Sequence, residues 1–138
     1  GMISLITSPY EKYRQSAVQT STPAQLVIML YDGAIRFTKA GVEGISNRDP
    51  QKANYNFGKA QTIVSELMCT LDHSYDISKN LHSLYDYINF LLIQSNINKI
   101  IEPSEEAVSY LSELRETWLT AIKLINGDSG SIDGIHNE

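Results

Sequence analysis

The sequence predicts an all-α protein: an antiparallel, up-down-up-down four-helix bundle with a short N-terminal helix. Three observations carry this. Four stretches of about 20 residues repeat apolar side chains at three- and four-residue spacing, the period of an amphipathic helix. Helix-start signatures, Thr22-Pro23, Asp49-Pro50 and Ser104-Glu105-Glu106, punctuate the chain. Helices of that length are about 30 Å long, and the short connections between them favour antiparallel neighbours. No strand pattern and no internal repeat stands out.

The first long helix is expected over about 23–45. Thr22 is suited to accept a hydrogen bond from an orphaned first-turn N–H. Pro23 falls where its missing N–H costs nothing, and Gln25 can bond back to the cap. The apolar residues from Leu26 to Ile45 cover about 200° of arc, whereas one core face needs a stripe of somewhat over about 100°. This is the pattern of a helix with neighbours on two sides, or of one with a second face kept for another purpose. Gly33, Gly41 and Gly44 lie inside it, where each costs about 1 kcal/mol against alanine; close helix packing is the expected reason.

After a turn at 46–49, Asp49 and Pro50 open a second helix to about Leu71, with a core stripe of Ala53, Phe57, Ala60, Val64, Leu67, Met68 and Leu71. A loop at 72–76 leads to a third helix from near Ser78 to about Asn98. Pro103 is expected to end the next connection, with Ser104 as cap of a fourth helix and two glutamates in its first turn, favourable to the helix dipole. Its stripe is Ala107, Leu111, Leu114, Trp118, Ala121, Ile122 and Ile125, and Asn126-Gly127 stops it. At the other end, Ser8 and Pro9 open a two-turn helix bearing Tyr10, Tyr13, Ala17 and Val18, too short to be ordered unless it docks. The expected division is a disordered stretch over 1–8, one helical domain over 9–126 and a disordered Gly-, Ser- and Asp-rich tail over 127–138. Gly1, ahead of Met2, reads as a remnant of cloning.

A chain of 138 residues suits one domain with a sizeable core. Its net charge of −5 argues against binding nucleic acid through phosphates, which needs a basic face. One cysteine, Cys69, rules out a disulfide framework. No apolar run reaches the roughly 18–20 residues of a membrane span, and the N terminus lacks the basic region of a secretory signal. The expectation is a cytoplasmic protein without stable membrane association.

Catalytic chemistry finds no support. His73, His82 and His136 share no metal-ligand spacing, and the expected core stripes of helices two to four contain no acid of the kind a di-iron bundle uses. There is no Gly-rich phosphate loop, and Cys69 has no basic neighbour in sequence to favour a thiolate. We expect no enzyme, no metal and no cofactor.

The third helix is the most informative. Leu81, Leu84, Tyr85, Ile88, Leu91 and Leu92 complete a core stripe, yet Phe90, Ile93 and Ile97 recur on the opposite side. Ile28 and Ile35 on the first helix, and Val108 and Leu119 on the fourth, are similarly surplus. A loop, the N-terminal segment or a second subunit could bury them. The alternative is grooves for an amphipathic partner segment.

Several motifs carry a resemblance. Tyr10-x-x-Tyr13, Val18-x-Thr20, Thr22-Pro23-x-x-Leu26 and Met29-Leu30-Tyr31-Asp32-Gly33 resemble the N-terminal signature of the FliS family of bacterial flagellin export chaperones. Lys59-Ala60-Gln61-x-Ile63-x-x-Glu66-Leu67, Leu84-Tyr85-Asp86-Tyr87 and Trp118 extend the likeness over about residues 8–125. It implies the same bundle and a partner: the disordered C-terminal region of flagellin, which becomes helical as it wraps the chaperone. It further implies that premature polymerisation is prevented and that flagellin is delivered to the flagellar export apparatus. With the surplus faces, it marks Tyr10, Tyr13, Val18, Ile28, Tyr31, Ile35, Tyr87, Phe90, Ile93, Ile97, Val108 and Leu119 as partner-binding. The alternative is a homo-oligomeric structural bundle, a homodimer for instance, with no flagellin client. We also expect residues 8–18 to dock in part of the flagellin groove when no flagellin is present.

Overall fold

A computed structural model describes residues 22–126. The expected helix at 9–18 and the two expected tails lie outside the described residues. Four helices make up the described chain: α1 (Pro23–Ser46), α2 (Pro50–Cys69), α3 (Asp76–Asn98) and α4 (Glu102–Asn126). No strand occurs among the described residues.

The start of α1 is the capping box that its sequence dictates. The Thr22 hydroxyl accepts from the Gln25 N–H at 3.1 Å, and the Gln25 side chain accepts from the Thr22 N–H at 3.0 Å. Asp49 caps α2 by accepting from the Lys52 N–H. Two tight connections need a left-handed residue, Arg48 (φ 56°) and Lys99 (φ 53°). Lys99 offsets that unfavourable conformation with its ammonium, which donates to the carbonyl and side chain of Asn96 and to Asn54.

Two helix starts differ from expectation. α3 begins at Asp76, with Tyr75 in the cap position and no side-chain cap. Ser78, the expected start, is buried and donates instead to the Asp72 carbonyl at 2.5 Å. α4 begins at Glu102, so Pro103 stands inside the first turn and Ser104 is not the cap. Proline is tolerated there because first-turn N–H groups have no intrahelical partner. Ser104 is buried, and its N–H donates to the Ser95 hydroxyl at 2.8 Å, while the Ser95 hydroxyl lies 2.9 Å from that of Ser104. A residue of α3 thus satisfies the start of α4.

Each helix packs on its sequence neighbours, and α4 packs back on α1, closing a ring around one core. The α1–α2 contact is the most extensive, and its glycines explain why. A Cβ added at Gly44 would stand 2.6 Å from the Ala53 nitrogen, and one at Gly41 would stand 2.9 Å from the Phe57 ring. Leu30, Tyr31 and Ala34 of α1 meet Phe57, Ala60, Ile63, Val64 and Leu67 of α2, Tyr85, Ile88 and Leu92 of α3, and Ala107 and Leu111 of α4. The expected stripe of α4 fades toward its C terminus: Ala121 and Ile125 are exposed. No described helix is long and apolar enough to cross a membrane.

Candidate functional site

The side of α3 that faces away from the core is apolar and open. Phe90 is 52% exposed and Ile97 70%, with Tyr87 and Ile93 also exposed. On the same helix, Ile88 and Leu92 are fully buried. The two stripes stand opposite each other because their residues differ by about half a helical turn at 100° per residue.

At the α4 edge of this face the aromatic residues are organised. The Tyr87 ring stacks on Phe90, with centroids 6.1 Å apart, and meets Tyr110 edge-on at 6.0 Å. Both tyrosine hydroxyls donate to the same Glu106 oxygen, Oε2, at 3.1 Å. Donation to the carboxylate holds both phenols above their ordinary pKa, because the hydrogen bond favours the protonated form. Tyr110 had no place in the sequence-derived site. Its spacing of four from Glu106 was the visible signal, but the pairing with Tyr87 depends on how α3 and α4 align.

The surplus expected on α1 is not there. Tyr31 is 0% exposed and its hydroxyl bonds to that of Tyr85, so it belongs to the core and not to a partner-facing surface. Ile28 is buried too, and Ile35 is half-buried against the core. The cause is that α1 packs on both α2 and α4, which consume its wide apolar arc. Val108 and Leu119 of α4 are half-buried. Val108 lines a cleft of about 290 Å³ with Val42, Lys39, Ser104 and Glu105. A second, mainly apolar cleft of about 320 Å³ opens at the start of α1, lined by Pro23, Ala24, Leu26, Val27, Leu30, Thr70 and Trp118. Tyr10, Tyr13 and Val18 lie outside the described residues.

Two ion pairs tie charged side chains to one another across helix contacts. Asp32 accepts from the Arg115 guanidinium at 2.5 Å, linking α1 to α4, and Lys52 pairs with Glu43. The structure does bring His73 and His82 together, ring centroids 6.1 Å apart, which their spacing of nine did not announce. Among the described residues no three His, Cys, Asp or Glu side chains converge as metal ligands would.

The family described as flagellar protein FliS matches residues 6–124. The flagellar secretion chaperone FliS of Bacillus subtilis is 35% identical over 130 residues, covering 94% of this chain and 98% of that one. The Salmonella typhimurium protein of the same name is 32% identical over 107 residues, 75% of this chain and 79% of its own. That of Campylobacter jejuni is 28% identical over 111 residues, 79% and 87% of the two chains. With a family match that runs through all four helices and a relative matched almost end to end, the chain belongs to the FliS family.

Proposed function

We propose that this chain is a flagellar secretion chaperone that holds the disordered C-terminal segment of flagellin, keeps it from polymerising prematurely and passes it to the flagellar export apparatus from the cytoplasm. The observation that carries this is the exposed apolar face of α3, Tyr87, Phe90, Ile93 and Ile97, set opposite a complete core stripe. Large exposed apolar patches mark interaction sites. An amphipathic helix laid in an apolar groove is the standard way to cover one. A segment that coils with its neighbours in a filament would aggregate if left bare, and a substitute groove satisfies it reversibly.

In this reading Val108, Leu119 and Ile35 line secondary grooves as half-buried floors, and Tyr10, Tyr13 and Val18 contribute from the N-terminal segment. Residues 9–126 act as one domain, with the helices antiparallel in up-down-up-down order, as ring packing and short connections favour. Relatives that carry the chaperone name weigh against a purely structural homo-oligomer.

The test is titration of a flagellin C-terminal peptide against the folded chain and two variants of α3. Ile93→Asp should weaken binding about 10-fold or more while the protein keeps its helical spectrum. Ile88→Asp buries an unpaired charge and should unfold the protein. Unfolding of Ile93→Asp as severe as that of Ile88→Asp would mean that the α3 face is ordinary core.

A further inference from the structure

The α3 face is apolar along its middle and acidic along the edge it shares with α4. Glu106 meets Tyr87 there. Glu102 and Glu113 lie four residues before and seven after it, on the same flank of α4. Asp86 is not on this edge: at 100° per residue it falls on the open face of α3, between Ile93 and Ile97. The basic residues nearby are placed away from this edge: Lys79 stands two turns before Tyr87, and Lys99 directs its ammonium to Asn54 and Asn96.

Glu106 is held in a particular way. Both phenols donate to Oε2, and among the described residues no donor meets Oε1. An ionised carboxylate offers about four lone-pair sites. It therefore stands beside two tyrosines, exposed, with accepting capacity to spare. A cation arriving there would gain a charge-assisted hydrogen bond and, where it lies over a ring, the face of Tyr87 or Tyr110.

We propose that the helix seated on this face carries a Lys or Arg opposite Glu106, its apolar stripe resting on Phe90, Ile93 and Ile97. The run from Tyr87 to Ile97 is about 15 Å long, so about three turns of partner helix fill it. The occupant is the helix formed by the flagellin segment, and the inference rests on the flagellin-binding reading of this face. The apolar stripe holds the helix, and Glu106 sets its register and direction.

The experiment titrates the flagellin C-terminal peptide against the full chain at about 0.05 M and about 0.5 M salt, since an exposed charge pair is screened at the higher value. Glu106→Gln should weaken binding about 3- to 5-fold at low salt and hardly at all at high salt. Replacing Tyr87 and Tyr110 together by phenylalanine removes the hydroxyls but keeps the carboxylate, so the salt dependence should persist. Phe90→Asp should weaken binding at both salt concentrations. If Phe90→Asp weakens binding and Glu106→Gln does not, the charge pairing is wrong while the apolar face stands. If Phe90→Asp binds as the parent does, the face itself is not the flagellin site, and the charge pairing falls with it.

Discussion

The hydroxyls of Tyr31 and Tyr85 meet 2.5 Å apart inside the core, joining α1 to α3, which stand across the ring from each other. The Tyr31 hydroxyl also meets the Trp118 side chain as a hydrogen-bond partner. Removing one hydroxyl takes the tyrosine–tyrosine bond from the other, buried one, at a cost of about 1–3 kcal/mol. Tyr31→Phe and Tyr85→Phe should each destabilise by that order. The double variant should cost clearly less than the sum of the two, and denaturant unfolding of all four proteins measures the coupling.

The same pair makes the protein sensitive to alkali. Burial pushes both phenols above their ordinary value of 10.0, because it penalises the phenolate. The folded pKa lies above the unfolded one, so the unfolded state releases protons first as pH rises. The stability from neutral, paired tyrosines is complete below about pH 10 and falls above it. Unfolding free energies measured between about pH 8 and 11 should decline for the parent protein and decline less for the double phenylalanine variant.

Three glycines should respond to alanine with different signs. At Gly44 the new methyl meets backbone, which cannot swing aside, and α1 and α2 must separate. At Gly41 it meets the ring of Phe57, itself fully buried. Losses of about 1–3 kcal/mol are expected at both, larger at Gly44. At Gly58 nothing lies within 4 Å, so alanine should stabilise by about 0.5–1 kcal/mol through helix propensity. Thermal melts of the three variants provide the comparison.

Deletion of residues 2–18 tests the expected role of the N-terminal segment. The apolar cleft lined by Pro23, Leu26, Val27 and Trp118 opens at the start of α1. If the segment occupies part of the groove at rest, the truncated and still folded protein should bind flagellin peptide more tightly or faster. An open form populated at about 1% would make apparent binding about 100-fold weaker than intrinsic binding. Weaker binding after truncation would instead assign Tyr10 and Tyr13 to direct contact.

What could be read in advance follows the range of each interaction. Helix α1 was legible to its capping atoms because Thr22, Pro23 and Gln25 act within three residues of one another. The exposed face of α3 was legible because Phe90, Ile93 and Ile97 have no other side of the helix to occupy. Tyr31 was misread because a width of apolar arc does not say how many neighbours will cover it. Ser104 was misread because the serine hydroxyl that satisfies its N–H comes from Ser95, across a helix–helix contact that local spacing does not encode. Ile63, fully buried on α2, fell outside the expected stripe for the same reason: α2 touches both α1 and α3.

The two stripes of α3 are fixed to one rigid helix, so no rotation can shelter Phe90 without driving Ile88 and Leu92 into water. Among the described residues nothing covers that face, and repulsion between copies, each with a net charge of −5, opposes their meeting there. Raising salt toward about 1 M shortens the reach of that repulsion to about 3 Å, so the free chain should crowd together in brine at concentrations where the loaded complex, its face already covered, stays dispersed.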